Sequence, residues 1–219
     1  QYSHLPLIHG NDGKKLSKRH GAIDINEFKN KGYLKESIIN NLILLGWSPS
    51  KNDELIYIDE IIKLFKIDNI SKSSSIFSYE KLNFFNNYFI NKDKNYYEFF
   101  KYCKINKKLE SYLNQDLKKF LRIIEIYKIK INYYKELEII TEIYFSEILK
   151  INKKNFFNEI YNKLIINFKK ILEDVDEWNI NTLENTLKLF IKNNNIKFPL
   201  FGKPTRIILI NTENGPSIT

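Results

Sequence analysis

Apolar side chains recur at intervals of three and four residues along most of the chain, the spacing of one face of an α-helix. This pattern holds from about residue 55 onward and predicts a mostly α protein. We interpret the stripes as packed core, since an amphipathic helix usually buries its apolar face in its own bundle; a partner-binding face is the alternative. The stripes are Ile58, Ile61, Ile62 and Phe65; Leu82, Phe85 and Phe89; Leu117, Leu121, Ile124 and Lys128; Leu137, Ile140, Tyr144 and Ile148; Phe156, Ile160 and Leu164; and Leu183, Leu187 and Phe190.

Glycine and capping residues divide the first part of the chain. Residues 1–22 are predicted to form a loop, because closely spaced glycines and an Asp-Gly dipeptide favour turns. A short helix is expected to follow Asp24, a suitable N-cap, and to end at Gly32 in the C′ position. The next helix is expected to stop at Gly46 and to carry on one face Leu34, Ile38, Leu42 and Leu45.

Few turn signals follow. Ser78 is suited to cap a helix. Lys192–Asn195 is predicted to be a polar loop, and Phe198–Pro204 a turn, because glycine and proline interrupt regular structure. A soft boundary between two parts is expected within residues 91–95.

Length and composition set broad limits. The chain has 219 residues, of which 43% are hydrophobic and 28% charged, as in one large or two small globular domains. The longest stretch without a charge, Ser37–Ser50, has 14 residues, fewer than the roughly 20 of a membrane-spanning helix. A single cysteine, Cys103, excludes an internal disulfide, and we interpret it as an ordinary half-buried residue. Without a secretory signal segment, an intracellular compartment is the default.

The basic charge has two interpretations. A net charge of +9 and a pI near 9.3 favour a polyanionic partner. However, one alanine and one valine stand against abundant Ile, Lys and Asn, which indicates A/T-rich codons that alone could supply the lysines. The chain also lacks methionine and begins with Gln1, so it is expected to be a fragment or a processed chain.

The segment Gly10–Gly21 carries the most informative chemistry, since scarce glycines frame it. Ammonium groups and backbone N–H donors on a glycine-hinged loop suit a triphosphate, whose charge must be neutralised during attack. A solvated basic loop or an address signal are the alternatives, and the spacing of a P-loop is absent. The four cations are Lys14, Lys15, Lys18 and Arg19.

The run Lys15–Arg19 resembles the KMSKS signature of class I aminoacyl-tRNA synthetases, and residues 4–21 as a whole are similar to the bacterial-type glutamyl-tRNA synthetases. The resemblance implies a mostly α fold in two parts. Residues 1–93 would be the C-terminal part of the catalytic region, with the KMSKS-type loop and a stem-contact fold. Residues 94–219 would be an all-helical anticodon-binding domain, truncated at its C-terminus. Further matches are residues 32–34, 44–48, 62–65, 71–73, 77, 81–82, 88–91 and 202–206.

The same resemblance implies an activity. Such enzymes use ATP and Mg²⁺ to activate L-glutamate as glutamyl-adenylate, and then attach the glutamyl group to the 3′ end of tRNA(Glu). Lys18 and Lys15 are the catalytic candidates that this resemblance gives. The expected ATP contacts are Lys15, Leu16, Ser17, Lys18 and Arg19.

Two arginines are the expected tRNA contacts in the helical part, Arg122 and Arg206. A guanidinium group offers a planar fork that can pair with a base or stack on it, which an ammonium group cannot do. Arg206 is preferred because Pro204 is expected to stiffen the turn that presents it. A structural ion pair between Arg206 and Glu213 is the alternative.

The nucleotide-binding half of the family should precede Gln1, and relatives continue past Thr219. We therefore expect a C-terminal piece, inactive alone, from an enzyme that is a monomer in the cytoplasm or in an organelle of bacterial descent. A noncatalytic basic helical tRNA-binding module derived from a synthetase is the alternative. A plain helical scaffold is disfavoured, because codon drift does not preserve a glycine-framed motif.

Two other sets of residues receive structural interpretations. A metal site at His4, His9 and His20 is not expected, since zinc needs fixed ligand geometry and these residues lie on a predicted loop without cysteine. Trp47 and Trp178 are expected to anchor helix packing rather than to stack on bases.

Overall fold

A computed structural model describes residues 6–17, 24–49, 54–146, 158–211 and 218. The chain divides into two compact units, residues 1–141 and 142–219. Helices dominate both, which confirms the predicted mostly α class. The separate prediction of a functional boundary between residues 93 and 94 stays a prediction.

In the first unit, helices surround one short parallel pair of strands. Strand β1 pairs with β2, with Ile8 opposite Ser75 and His9 opposite Ile76. The elements in order are β1 (Ile8–His9), α1 (Ile25–Lys31), α2 (Lys35–Ile43), α3 (Ile58–Leu64), a 3₁₀ turn (Ile67–Asn69), β2 (Ser75–Ile76), α4 (Tyr79–Lys92), α5 (Tyr97–Ile105), α6 (Lys107–Gln115), α7 (Leu117–Tyr127) and a second 3₁₀ turn (Tyr134–Glu136). Helix α8 (Leu137–Phe145) follows and spans the division at residues 141 and 142.

In the second unit, the described residues form three long helices that pack around an aromatic core. They are α9 (Glu159–Glu173), α10 (Ile180–Asn193) and α11 (Phe198–Ile210). Phe201 is fully buried among Tyr161, Phe168 and Phe190, with ring centroids 5.1 to 5.9 Å apart. Burial of these large rings removes much apolar surface from water, which stabilises the unit.

The predicted helix ends are confirmed where a local cap determines them. The Asp24 carboxylate accepts a hydrogen bond from the Asn26 backbone N–H, and Ser78 accepts one from the Lys81 N–H. Gly32 ends α1 in the left-handed conformation, with φ at 81°. These signals succeed because each requires only neighbouring residues.

The predicted apolar face of the second helix is partly wrong. Leu34 and Leu45 are buried, but Leu42 is 42% exposed. The buried positions of α2 are polar, namely Ser37, Asn40 and Asn41. Hydrogen bonds explain part of this inversion: the Asn86 side-chain oxygen on α4 accepts from the Leu34 N–H and the Ser37 hydroxyl, both at 2.8 Å, and the Asn40 amide donates to the Ile56 carbonyl at 2.6 Å.

Other stripes also bury a different face from the one expected. On α3 only Ile61 is buried, and Ile62 is 70% exposed. On α7 Leu117 is exposed, and Ile160 is exposed on α9. The larger rings of Phe120 and Tyr127 repeat at the same helical spacing and bury more area, so α7 turns them inward with Ile123 and Ile124.

The predicted turn over Phe198–Pro204 is wrong, because these residues form the first half of α11. Pro199 lies in the first turn of the helix, where its missing N–H costs nothing. Pro204 lies in the interior, where burial of Phe201, Ile207 and Ile210 offsets its cost. The predicted polar loop Lys192–Asn195 begins late, since α10 continues to Asn193.

Within the described ranges, every helix is too short or too polar to cross a membrane.

Candidate functional site

The lysine motif begins on a hairpin whose first strand, β1, is hydrogen-bonded along both of its edges. On one side, β1 joins β2, with the Phe77 N–H donating to the His9 carbonyl at 2.8 Å. On the other, the Leu16 N–H donates to the Ile8 carbonyl at 2.8 Å. The prediction that residues 1–22 are all loop is therefore wrong at β1, which lies between β2 and the returning limb of the motif.

A tight turn joins the two limbs of this hairpin, which we define as residues 8–17. The Gly10 N–H donates to the Lys14 carbonyl at 2.9 Å, and the Gly13 N–H donates to the Gly10 carbonyl at 3.0 Å. Gly13 has a φ of +72°, a backbone conformation that residues other than glycine adopt only with strain. The Asp12 carboxylate accepts the Lys14 N–H at 3.1 Å, which closes the turn.

The returning limb passes from solvent toward the core along its length. Lys14 and Lys15 are exposed, whereas Leu16 is half-buried against the cluster of Phe28, Tyr33, Leu45, Phe77 and Leu82. Ser17 is half-buried as well. An exposed cation is therefore fixed beside a buried leucine, so Lys15 stands on a frame that packing holds in place.

The structure brings Lys15, Leu16 and Ser17 together on one limb. Lys18 and Arg19 lie outside the described residues. Their roles, like those of the other predicted ATP contacts, stay predictions.

The two arginines lie in different units. Arg122 is exposed on α7 in the first unit. Arg206 is half-buried on α11 in the second, with its guanidinium carbon 5.6 Å from the centre of the Phe198 ring. A helix rather than a stiffened turn presents Arg206, which corrects the reason given for preferring it. Glu213, its suggested ion-pair partner, lies outside the described residues.

Neither a metal cluster nor a reactive thiol is found in the part of the chain that the structure describes. No group of three His, Cys, Asp or Glu side chains is placed to hold a metal there, and His4 and His20 lie outside it. Cys103 is fully buried rather than half-buried, and burial raises the pKa of its thiol to about 12. A protonated thiol away from solvent is a poor nucleophile, so Cys103 is structural.

Comparison with known proteins gives the same order of parts along the chain. The family of class I tRNA synthetases (E and Q), catalytic domain, matches residues 1–84. The anticodon binding domain family matches residues 104–219. The chain belongs to the class I tRNA synthetases (E and Q), with their anticodon binding domain.

Individual relatives agree with this assignment. Glutamate–tRNA ligase 2 of Ehrlichia ruminantium (strain Gardel) is 35% identical over 231 residues, which cover 100% of this chain and 47% of the relative. Glutamate–tRNA ligase of Blochmanniella floridana is 31% identical over 223 residues, which cover 100% and 46%. This synthetase chain thus spans about half the length of the curated relatives it matches.

A solved structure shares the fold. The crystal structure of a glutamate tRNA ligase from Elizabethkingia meningosepticum CCUG26117 in complex with its amino acid aligns with a TM-score of 0.72 at 23% identity. The alignment covers 99% of this chain and 47% of the other.

A groove on the second unit of the synthetase chain lies beside the ring under Arg206. Its volume is about 470 Å³, and its apolar wall includes Leu187, Ile191 and Phe198. The charged lining residues are Lys192, Lys188 and Glu184, of which the last two form an ion pair at 3.4 Å. Sequence reasoning missed this groove, because it interpreted the segment around Phe198 as a turn. An apolar wall with cations is the surface chemistry that accepts an unstacked base and its phosphate.

Proposed function

We propose that this chain is part of a glutamate–tRNA ligase, to which it contributes the lysine hairpin for ATP and a surface for tRNA(Glu). The observation that carries the proposal is the presence, on one chain, of a fixed lysine hairpin in the catalytic-domain match and an all-helical region in the anticodon-domain match. The substrates are ATP with Mg²⁺, L-glutamate and tRNA(Glu). The enzyme acts as a monomer in the cytoplasm or in an organelle of bacterial descent.

The chemistry of the first step explains why lysines are needed. The bound ATP supplies the α-phosphorus that the carboxylate of glutamate attacks, and negative charge then builds on the pyrophosphate oxygens. Lys15 and Lys18 stabilise that charge, while Leu16 holds in place the limb that carries Lys15. Positioned charge of this kind requires no acid–base pair.

The residues present fit the phosphate end of ATP. Lys14 and Lys15 are exposed, and the backbone that carries them is fixed by hydrogen bonds at 2.8 to 2.9 Å. Mg²⁺ in such sites binds mainly substrate phosphates and water, so this hairpin need not provide a metal cage. The adenosine and the amino acid require a nucleotide-binding half as well.

The two arginines are proposed to contact tRNA. Arg206 lies on the ring of Phe198, which also lines the groove of the second unit. A base entering this groove would meet the aromatic ring of Phe198, and the guanidinium of Arg206 lies against that same ring. Arg122, exposed on α7, has room to reach a phosphate or a base edge.

The test is glutamate-dependent exchange of pyrophosphate into ATP, with tRNA(Glu) binding measured in parallel. In the complete synthetase, Lys18→Ala should lower the exchange rate by about 10² to 10³, the usual cost of one transition-state charge contact. Binding of tRNA(Glu) should change far less. Lys163→Ala, which removes an exposed lysine from α9, is the matched control and should leave exchange unchanged.

Two outcomes would contradict parts of this proposal. Equal losses in exchange and in tRNA binding would mean that the hairpin is mainly an RNA contact, as in a noncatalytic tRNA-binding module. If this chain alone catalysed pyrophosphate exchange faster than its Lys18→Ala variant, the reaction would not need a separate nucleotide-binding half.

A further inference from the structure

Helix α1 ends against two buried tyrosines. At Gly32, a Cβ atom would lie 2.7 Å from the Tyr134 Cβ and 3.0 Å from the Tyr102 ring. Gly32 also has a φ of +81°. Glycine is therefore required twice at this position, once for the backbone conformation and once for the close approach of the tyrosines.

The tyrosines also satisfy carbonyl groups that the helix leaves without partners in its last turn. The Tyr102 hydroxyl donates to the Asn30 carbonyl at 2.9 Å. The Tyr134 backbone N–H donates to the Gly32 carbonyl at 3.4 Å. Burial raises the pKa of both phenols, so the Tyr102 hydroxyl stays protonated and remains a donor.

A rigid aromatic cluster holds the two tyrosines. The ring centroids of Tyr102 and Tyr134 are 5.6 Å apart, and Tyr134 packs edge-on to Phe99 at 5.1 Å. Phe99 in turn stacks on Phe120 of α7 at 5.7 Å. The position of the α1 C-terminus is thus set by α5, α7 and the 3₁₀ turn at residues 134–136.

The same helix packs against the lysine hairpin. Phe28, the buried residue of α1, lies in the cluster to which Leu16 adds its side chain. Gly32 and Phe28 fall in the catalytic-domain match, whereas Tyr134 falls in the anticodon-domain match. Helix α1 therefore shares a buried cluster with the hairpin through Phe28 and approaches the anticodon-domain match at Gly32, all within the first compact unit.

We infer that Tyr102 and Tyr134 are positioning residues for the lysine hairpin: by holding the end of α1 at Gly32, they fix Phe28, and through it Leu16 and the exposed Lys15. This inference rests on the proposed function. If the inference holds, the anticodon-domain match is connected to the lysine hairpin through α1, a helix that itself takes no part in the chemistry.

The test uses Tyr102→Phe, which keeps the ring and its packing and removes only the hydrogen bond to Asn30. In this chain, the amides of α1 should exchange with solvent several-fold faster. In the complete synthetase, the kcat of pyrophosphate exchange should fall about threefold to tenfold per active site, the size of one lost hydrogen bond. The KM for glutamate should not change. Tyr161→Phe, which removes a buried hydroxyl in the second unit, is the matched control and should change neither quantity.

A double-mutant cycle separates positioning from general weakening. If Tyr102 acts through the hairpin, Tyr102→Phe should lower the kcat of pyrophosphate exchange little further once Lys15→Ala is present. If its effect is structural and unrelated to the hairpin, the two rate losses should multiply in the double variant. Two results would overturn this inference alone: rate losses of Tyr102→Phe and Lys15→Ala that multiply in the double variant, or hydrogen exchange of the α1 amides that Tyr102→Phe leaves unchanged. The proposed function would be overturned instead if the complete protein showed no pyrophosphate exchange, or if Lys18→Ala left the rate of that exchange unchanged.

Discussion

The lysine hairpin of residues 8–17 and the helix α11 are both rich in glycine, proline or lysine, yet one forms a tight turn and the other a continuous helix. In the hairpin, Gly13 has a positive φ and the chain reverses direction. In α11, Gly202 and Pro204 lie inside a continuous helix. The difference follows from the apolar neighbours, because residues that break regular structure do so only where no strong periodic burial opposes them.

The periodicities differ accordingly. On the returning limb of the hairpin, the exposed Lys14 and Lys15 are followed by the half-buried Leu16 and Ser17, so burial changes once along the limb. On α11, Phe201 and Thr205 are buried four residues apart, which is the spacing of a helix. As a result, the two predicted contacts differ in setting: Lys15 is exposed, whereas Arg206 is half-buried on an aromatic ring.

The largest expected effect tests burial in α11. Phe201→Ala should lower the free energy of unfolding of the second unit by about 3 to 5 kcal/mol, because it removes a fully buried ring and leaves a cavity. Leu200→Ala, one residue away and 44% exposed, should cost less than about 1 kcal/mol. Amide exchange of α9, α10 and α11 measures both. Similar costs for the two variants would mean that burial of Phe201 does not hold the helix together.

The next test concerns the hairpin turn. Gly13→Ala should destabilise the first unit by about 1 to 2 kcal/mol, since a Cβ there has open space and only the positive φ opposes it. Gly46→Ala is the control, because it also has open space but no positive φ. Urea unfolding followed by fluorescence of buried Trp47, in a Trp178→Phe background, reports on the first unit. Equal effects at the two glycines would refute the account of the turn.

The two units should also differ in alkali. Burial raises the pKa of Cys103 from 9.0 to about 12, and raises that of Tyr33, Tyr102 and Tyr134 in the same unit. Each folded pKa lies above its unfolded value, so this stability is complete below about pH 9 and is lost as pH rises toward 12.

By pH 10 the thiol alone should cost the first unit about 1 kcal/mol. Cys103→Ala should reduce this loss, measured by the urea midpoint of Trp47 fluorescence at pH 8 and pH 10. An identical pH dependence in wild type and Cys103→Ala would contradict the assignment to the thiol. In the second unit, burial raises the pKa of Tyr161. Because the ordinary pKa of tyrosine is higher than that of cysteine, the second unit should begin to lose stability at a higher pH than the first.

The parts of this fold that the sequence predicted are those that short-range chemistry determines. Caps at Asp24 and Ser78 and the stop at Gly32 each depend on a few neighbouring residues, and all three are confirmed. The lysine motif likewise identified the family. In contrast, the polar face of α2 depends on Asn86, about fifty residues away, whose hydrogen bonds to Leu34 and Ser37 leave no local trace.

The tryptophans illustrate the same limit. Trp47 is 2% exposed and packs against Phe65, as expected of a packing anchor. Trp178, expected to do the same, is 67% exposed. The residue type alone does not determine which face of a bundle meets the core, because that choice depends on contacts between distant helices.

The smallest expected effect concerns Arg206. Arg206→Lys keeps the charge but loses the planar group that lies over Phe198, so the chain's preference for tRNA(Glu) with its native anticodon over altered anticodons should fall about twofold to fivefold. Lys203→Ala, an exposed cation on the same helix, should weaken binding of all these RNAs alike and leave the preference intact. Competition binding with native and altered tRNA(Glu) measures both quantities. If Arg206→Lys leaves the preference unchanged, the guanidinium serves only to pack on Phe198, and the groove beside it has no part in distinguishing anticodons.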